Sequence, residues 1–372
     1  MNNKWTILIF CLLMLSHLLQ AQTPASTNVS GAKYPAVWPD NRVEFRVKAP
    51  EATKMQVDFG QKYDMQRDTN GVWNVTTEPL ESGIHYYSLI VDGLSVADPA
   101  SESFYGCGRM MSCIEIPYLT GGTSYEIQDV PHGDVRVKRY FSKVTDSWRK
   151  VYIYTPAGYD QKTNEKYPVL YIMHGGGEDA RGWVQQGRAD IILDNLIAVN
   201  KAKPMLVVMV NGNMPLVSFN DSSFLQAFES ELTQVIIPFV ESNYRTEKGA
   251  ESRALAGLSM GGMQTLYTGL YHTDLFSYLG VFSSGWLPFH KNIADAQYDF
   301  IRKNKETIDK QLNLLWISIG GKEDIAYQNC QNMLKEFDGL ELKYIYSEYP
   351  GGHSWSVWRN NLYNFAHLLF ND

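Results

Sequence analysis

The sequence predicts a mainly parallel, doubly wound α/β domain that is preceded by a small all-β sandwich. Two observations carry this prediction. Short runs in which apolar and polar residues alternate follow one another from Asn41, and this period of two is typical of sandwich strands. Beyond residue 136, apolar strands alternate with helical patterns. That order predicts a parallel sheet covered by helices on both faces.

Length and composition limit the function classes. The 372 residues are enough for two domains, and the net charge of −7 comes without any basic run, so a nucleic-acid partner is not expected. The aromatic content of 13% suits contacts with sugars or phenols as well as hydrophobic cores.

Residues 1–22 are predicted to be a signal peptide. Lys4 precedes the apolar run Trp5–Leu19, and Ala21 supplies a small residue at a cleavage point near Ala21/Gln22. We therefore expect export to the periplasm or the extracellular space, with no stable membrane span after processing. An uncleaved anchor is the alternative, although the run is short for a membrane span.

Cleavage would leave Cys107, Cys113 and Cys330. Cys107 and Cys113 could close a small disulfide loop, or they could be two small buried hydrophobes. The histidines form no H-x-x-x-H pair and the cysteines no cluster, so neither a metal nor another cofactor is expected.

The all-β domain is predicted over residues 35–120, after a linker at 23–34 and before a connection at 121–135. Turn signals such as Asp92-Gly93 separate its strands, and Trp73 is expected in its core. The predicted strands are Val43–Val47, Met55–Phe59, Val72–Val75 and His85–Val91.

The α/β domain is predicted over residues 136–372. Its strands include continuously apolar runs, as buried parallel strands require; they are Val151–Tyr154, Pro168–Met173, Met205–Val210, Arg253–Leu258, Tyr278–Phe282, Leu314–Ile319 and Leu342–Tyr346. Its helices have apolar residues at helical spacing; they are Arg188–Val199, Phe224–Val240, Met263–Tyr271, Ala294–Lys303, Ala326–Phe337 and Trp355–Phe370.

A G-x-S-x-G motif lies between a predicted strand and a predicted helix, at Gly257-Leu258-Ser259-Met260-Gly261. This arrangement is typical of the nucleophile elbow of α/β hydrolases, where the serine sits on a tight turn. Glycines on both sides let strand and helix approach each other closely. We therefore predict that Ser259 is a catalytic nucleophile.

The run His174-Gly-Gly-Gly177 follows the strand that ends at Met173. An HGGG-type loop supplies one backbone N–H to an oxyanion hole, and the residue after the nucleophile supplies the other. We predict that these donors are Gly176, with Gly175 as the alternative, and Met260. His174 is expected to shape the loop rather than act as the base.

Two further strand ends carry an acid and a base. Asp324 follows one strand in Gly320-Gly-Lys-Glu-Asp324, and His353 follows the next in Gly351-Gly-His-Ser-Trp355. The chain order Ser259, Asp324, His353 is the order of α/β hydrolases. His353 is predicted to accept the serine proton and Asp324 to orient the imidazole, with Glu323 as the competing acid.

The enzyme part resembles carbohydrate esterase family 1, which includes feruloyl, acetylxylan and enterochelin-type esterases. The resemblance covers roughly residues 130–372 and rests on the following motifs: Val151-Tyr-Ile-Tyr-Thr-Pro156, Tyr167-Pro-Val-Leu-Tyr-Ile-Met-His-Gly-Gly-Gly177, Arg253–Gly262 and Gly351-Gly-His-Ser-Trp355. It implies the same triad and oxyanion hole, and it suggests that Trp183 and Trp355 lie near the substrate. The segment Ser284–His290 departs from the pattern, and acyl selectivity is expected to depend on it.

The all-β domain resembles the early-set immunoglobulin-like modules related to glycogen-type carbohydrate-binding domains, through Val43–Pro50, Gly71-Val-Trp73, His85-Tyr-Tyr87 and Ala97–Ser101. A structural role is favoured over glycan binding, because a fold does not imply a function.

These resemblances imply an exported serine esterase that removes feruloyl or other hydroxycinnamoyl groups from plant xylan through an acyl-enzyme. An acetylxylan esterase with a smaller acyl pocket is the first alternative. A siderophore-type esterase and a carbohydrate-binding protein without activity are the others. The expected partner is the acylated polysaccharide, and the oligomeric state stays open.

Overall fold

A computed structural model describes residues 22–117, 124–215 and 217–371. The predicted signal peptide falls almost wholly outside these residues. Within them, no helix combines the length and the apolar character needed to cross a membrane. The described residues form two compact units, of which the first comprises residues 22–104 and 110–117, and the second comprises residues 105–109, 124–215 and 217–371.

The N-terminal region is all-β and consists of two sheets. In one sheet the strand order is β1-β2-β3-β7-β6, and in the other it is β10-β11-β8-β4-β5, with β9 paired to β8. The strands are β1 Thr23–Pro24, β2 Ala36–Val37, β3 Val43–Lys48, β4 Met55–Asp58, β5 Lys62–Asp64, β6 Gln66–Arg67, β7 Val72–Thr76, β8 Gly83–Val91, β9 Leu94–Val96, β10 Ser103–Gly106 and β11 Arg109–Ile116.

Both sheets contribute to one hydrophobic core, to which Phe45 and Trp73 come from the first and Val57 and Tyr87 from the second. The alternating pattern buries every second side chain of β4, as a half-buried strand requires. Trp73 is a core residue as expected, and its indole N–H donates to the carbonyl of Ala49 at 2.9 Å. The all-β prediction is confirmed, whereas the immunoglobulin-like assignment stays a prediction.

The expected linker differs from the structure. Thr23–Pro24 pairs with β2, and Ala25 is buried in the core. The strand in this stretch was not predicted, because it has only two residues and is too short to show a periodicity among the small polar residues around it.

The second unit contains a mainly parallel sheet in the order β12-β13-β15-β14-β16-β17-β18-β19. Strands β12, β13 and β15 pair antiparallel, and every pair from β15 to β19 is parallel. The strands are β12 Asp134–Ser142, β13 Ser147–Thr155, β14 Val169–Met173, β15 Leu206–Val210, β16 Arg253–Leu258, β17 Tyr278–Phe282, β18 Leu314–Ile319 and β19 Ile345–Glu348.

Helices connect the parallel strands. They are α1 Gly182–Gln185, α2 Ala189–Ala198, α3 Ser223–Glu231, α4 Ile237–Asn243, α5 Met260–Tyr271, α6 Lys291–Gln311, α7 Tyr327–Gly339 and α8 Trp355–Leu368. A π-helical turn, Leu232–Ile236, joins α3 to α4, so the single helix predicted over Phe224–Val240 is interrupted there. The backbone of α6 kinks at Asn304.

The buried strands bring the predicted motifs to one edge of this sheet. All residues of β14, β15 and β16 are buried, because they are apolar on both faces. Met173 lies opposite Gly257 and Leu258 opposite Phe282 in the register. The carboxyl ends of parallel strands lie at the same edge, where α/β proteins bind their ligands.

Candidate active site

Ser259 occupies the sharp turn between β16 and α5. Its backbone angles are φ 52° and ψ −115°, a conformation that residues with a side chain rarely adopt and that is often found at functional sites. The turn is held on both sides, since the Ser259 N–H donates to the carbonyl of Phe282 at 2.8 Å and the Ser284 hydroxyl donates to the Ser259 carbonyl at 2.7 Å. This is the geometry expected of a nucleophile elbow.

The two glycines of the motif are required by the close approach of strand and helix. A Cβ at Gly257 would lie 2.3 Å from the carbonyl oxygen of Gly261. A Cβ at Gly261 would lie 2.7 Å from the carbonyl oxygen of His174. Both contacts are to backbone atoms that cannot move aside, so only glycine fits at either position.

The glycine loop after β14 lies directly beside the serine. A Cβ at Gly175 would be 3.4 Å from the Cβ of Ser259, and the same position at Gly176 is open. Met260 is the first residue of α5, where backbone N–H groups have no intrahelical partner and the helix dipole favours negative charge. Gly176 and Met260 stay the predicted oxyanion donors.

His174 is built into the loop and is not placed to act as a base. Burial lowers the pKa of its imidazole, which is therefore neutral. The N–H of Gly212 donates to Nε2 at 3.1 Å, so Nε2 must be the unprotonated nitrogen. Nδ1 then carries the proton and donates to the carbonyl of Gly175 at 2.8 Å. The contact with Gly212 was not predicted, and the only sequence signal for it is the turn-forming run Asn211-Gly-Asn213 after β15.

Asp324 and His353 form a hydrogen-bonded pair at the ends of β18 and β19. The distance from Asp324 Oδ1 to His353 Nδ1 is 2.8 Å, and Asp324 is 3% exposed. Burial by itself would raise the pKa of this carboxyl, but the hydrogen bonds from His353 and from the N–H of Ala326 hold the pKa below its usual value. Asp324 is thus an anion that fixes the orientation of the imidazole, and it is Asp324 rather than Glu323 that contacts His353.

Strand order sets the spacing between the serine and this pair. Ser259 follows β16 and Asp324 follows β18, with β17 between them. Two strand spacings are about 10 Å, which is the span that an imidazole bridges when it contacts a hydroxyl on one side and a carboxylate on the other. The catalytic roles of Ser259, Asp324 and His353 stay predictions that this geometry favours.

Trp183 and Trp355 do not offer a surface to a substrate, which corrects the expectation that they line the site. They are 0% and 2% exposed, and their rings pack edge to face at 5.2 Å. The indole N–H of Trp183 donates to the carbonyl of Met173 at 2.9 Å, and that of Trp355 donates to Glu178 Oε1 at 2.8 Å. Because Met173 precedes the glycine loop and Glu178 follows it, the two tryptophans support both ends of this loop.

Cys107 is exposed, Cys113 and Cys330 are buried, and the structure links none of the three in a disulfide, so the Cys107–Cys113 disulfide is not formed in it. Burial raises the pKa of the Cys330 thiol to about 12, which makes it an inert core residue. In the parts of the chain that the structure describes, no three His, Cys, Asp or Glu side chains are grouped as metal ligands.

The mainly parallel sheet, the strained serine turn and the acid–base pair at one sheet edge define an α/β hydrolase. The family model described as putative esterase matches residues 142–368. The chain therefore belongs to this esterase family, whose members share the hydrolase fold.

Two curated relatives are similar to this chain in sequence. The chain is 33% identical over 358 residues to an endo-1,4-beta-xylanase/feruloyl esterase of Xylanibacter ruminicola. This alignment covers 93% of this chain and 47% of the relative. It is 26% identical over 307 residues to endo-1,4-beta-xylanase Y of Acetivibrio thermocellus. This second alignment covers 76% of this chain and 27% of the relative. The chain thus spans half or less of these two relatives.

Solved structures agree on the fold. A ferulic acid esterase from Anaeromyces mucronatus, in complex with ferulic acid, matches with a TM-score of 0.58 and 27% identity over 66% of this chain and 93% of that chain. The enterobactin esterase of Shigella flexneri matches with a TM-score of 0.66 and 19% identity over 88% of this chain and 92% of that chain.

Proposed function

We propose that this chain is an exported serine esterase that removes feruloyl or related hydroxycinnamoyl groups from plant xylan through an acyl-enzyme. The observation that carries the proposal is the Asp324–His353 hydrogen bond of 2.8 Å at the sheet edge where Ser259 lies on a strained turn. The substrate follows from the relatives, one of which is a xylanase/feruloyl esterase and another a ferulic acid esterase.

The residues divide the work as follows. His353 Nε2 takes the proton from the Ser259 hydroxyl as its oxygen attacks the ester carbonyl. The negative charge that develops on the carbonyl oxygen is stabilised by the N–H groups of Gly176 and Met260. His353 then donates the proton to the departing sugar oxygen, which leaves the acyl group on Ser259. Water, activated by the same imidazole, hydrolyses the acyl-enzyme. Asp324 stabilises the imidazolium in both halves.

The test is the variant Ser259→Ala on two substrates, methyl ferulate and p-nitrophenyl acetate. We expect hydrolysis of both to be lost while the far-ultraviolet circular dichroism and the melting temperature stay those of the wild type. Hydrolysis at the wild-type rate by Ser259→Ala would refute the nucleophile and with it the mechanism. The acyl group is decided by comparing the wild-type kcat/KM on methyl ferulate with that on acetylated xylan. A higher value on acetylated xylan would assign the chain to the acetylxylan esterases.

The proposed export rests on the apolar run Trp5–Leu19 and on Ala21. N-terminal sequencing of the protein made by an exporting host should begin near Gln22, and a mature protein that still begins at Met1 would contradict export by cleavage.

A further inference from the structure

A cleft of about 570 Å³ is lined in part by the segment that follows the glycine loop, and it is not part of the site described above. Its walls come from the start of β13, from the segment Asp179–Arg181 that follows the glycine loop, and from the loop Asn211–Pro215 that follows β15. Because β13 runs antiparallel to β15, its first residues lie at the carboxyl edge of the sheet. The cleft and Ser259 therefore share one edge.

Trp148 is the residue of this cleft that most strongly indicates a ligand-binding surface. Its side chain is 71% exposed, and its cross-strand neighbour Phe141 is 47% exposed. The two rings meet edge to face at 5.8 Å. Single exposed hydrophobic residues are common, but two exposed aromatic rings in contact, of which Trp148 lines a cleft, favour a binding surface.

The rest of the lining supplies hydrogen-bonding groups. Lys150 and Tyr152 alternate with buried residues along β13, so they share the face of Trp148, and Asp179, Arg181 and Asn213 also line the cleft. A flat apolar ring flanked by charged and amide side chains fits a sugar unit, whose ring face stacks on an indole and whose hydroxyls both donate and accept hydrogen bonds.

Another lining residue, Arg149, is held by several fixed contacts. Arg149 is 6% exposed and donates to the carbonyls of Asn211 and Asn213 at 2.6 and 2.7 Å. Its other terminal nitrogen lies 3.5 Å from the buried carboxylate of Glu231, which fixes the guanidinium. Asn211 is followed by Gly212, whose N–H holds His174. A ligand in the cleft would therefore meet a preformed surface that is continuous with the glycine loop.

The strand order separates the cleft from the serine by several strand spacings. In the order β13-β15-β14-β16, three strand spacings separate β13 from the strand that carries Ser259, which is about 14 Å. That is longer than one ester group, so the cleft would hold sugar units next to the unit that bears the ester.

We propose that the cleft lined by Trp148, Lys150, Arg181 and Asn213 is a subsite for the β-linked pentose chain of the esterified polysaccharide, with Trp148 as its stacking platform. This inference rests on the proposed function, and it adds a residue that selects a polymeric ester over a small one.

The experiment compares kcat/KM on a feruloylated xylo-oligosaccharide with kcat/KM on methyl ferulate, for the wild type and for Trp148→Ala. We expect the ratio of the two values to fall about tenfold, the size of one lost aromatic contact of about 1.4 kcal/mol. A purely structural role of Trp148 would lower both values by the same factor and leave the ratio unchanged. Trp148→Tyr, which keeps a ring, should recover most of the ratio. Ile127→Ala is the matched control, because Ile127 is 74% exposed in the same unit but does not line the cleft.

A binding measurement makes the test independent of catalysis. Titration calorimetry with xylotetraose should detect binding to Ser259→Ala and at least tenfold weaker binding to Ser259→Ala/Trp148→Ala. Equal binding by both, or an unchanged kinetic ratio in an active Trp148→Ala enzyme, would overturn the subsite and leave the proposed function standing. A wild type inactive on both esters would instead refute the proposed function, and the calorimetry would then decide the subsite alone.

Discussion

The Asp324–His353 pair gives a prediction whose size follows from its hydrogen bonds. Asp324 Oδ1 accepts from His353 Nδ1 at 2.8 Å and from the N–H of Ala326 at 2.9 Å. The other oxygen, Oδ2, accepts at a longer distance, from the N–H of Gly320 at 3.3 Å. The isosteric change Asp324→Asn is therefore expected to keep its amide oxygen at Oδ1, where an NH2 group would face the N–H of Ala326, and to place its NH2 group at Oδ2. The imidazole tautomer is then preserved, while the negative charge and the hydrogen bond from Gly320 are lost.

A charge-assisted hydrogen bond is worth about 1.5–3 kcal/mol, so Asp324→Asn should lower kcat on methyl ferulate by a factor of about 10 to 150. This is less than the roughly 10⁴-fold loss expected when a triad amide forces the wrong tautomer. Asp324→Ala, which removes the orientation as well, should lose more than Asp324→Asn.

Glu323→Gln is the matched control, since it neutralises the neighbouring carboxylate and leaves the hydrogen bond to His353 in place. It should keep kcat within about twofold of the wild type, as surface changes away from a site usually do. A larger loss for Glu323→Gln than for Asp324→Asn would refute the assignment of the acid, and a wild-type kcat for Asp324→Asn would refute the role of the charge.

Two further predictions concern the same edge of the sheet. Gly257→Ala should lower both the melting temperature and kcat, because its Cβ would lie 2.3 Å from the carbonyl oxygen of Gly261. Thermal unfolding measures the first and the methyl ferulate assay measures the second. A variant with an unchanged melting temperature and kcat would contradict the close contact. The contribution of Asp324 to the free energy of unfolding should depend on pH. Its folded pKa lies below the ordinary value of 3.8, so this contribution is complete above the unfolded pKa and is lost as pH falls through the folded pKa. The difference in unfolding free energy between wild type and Asp324→Asn, from urea titrations at about pH 6 and about pH 3, should therefore shrink at the lower pH; a difference that grows would contradict the depressed pKa.

Much of the α/β fold could be predicted because its strands are fully buried. Tyr278–Phe282 and Leu314–Ile319 begin and end as the apolar runs do, since a strand covered on both faces must be apolar throughout. Asp134–Ser142 was missed because it is an edge strand with mostly exposed side chains, and such a strand carries no long apolar run. The strand predicted at Leu342–Tyr346 begins instead at Ile345, because the hydrophobic Leu342 is buried at the end of α7 rather than in the sheet.

The site divides in the same way. The positions of Ser259, the glycine loop, Asp324 and His353 could be predicted because each follows a strand end with glycines that the close packing requires. The roles of the tryptophans could not be predicted from the sequence. An aromatic residue near a motif gives the same sequence pattern whether it supports the loop or contacts the substrate. Trp183 and Trp355 turned out to be supporting residues, and Trp148, which no motif marks, is the exposed one. Only the fold distinguishes them, because burial depends on which elements pack together.

The strand order also orients the ester in the proposed reaction. The cleft with Trp148 lies on the β15 and β13 side of Ser259, whereas the segment Ser284–His290 begins on the other side, at the end of β17. That segment touches the elbow directly, through the hydrogen bond from Ser284 to the carbonyl of Ser259, and it carries Phe289 with half of its surface exposed. In the proposed reaction, an ester with its carbonyl at the serine and its sugar toward β13 would direct its acyl group toward β17. Selection of the sugar and selection of the acyl group would then depend on separate residues on opposite sides of the nucleophile. Substitutions in the two regions should have independent effects on kcat/KM, because residues this far apart without shared partners contribute additively.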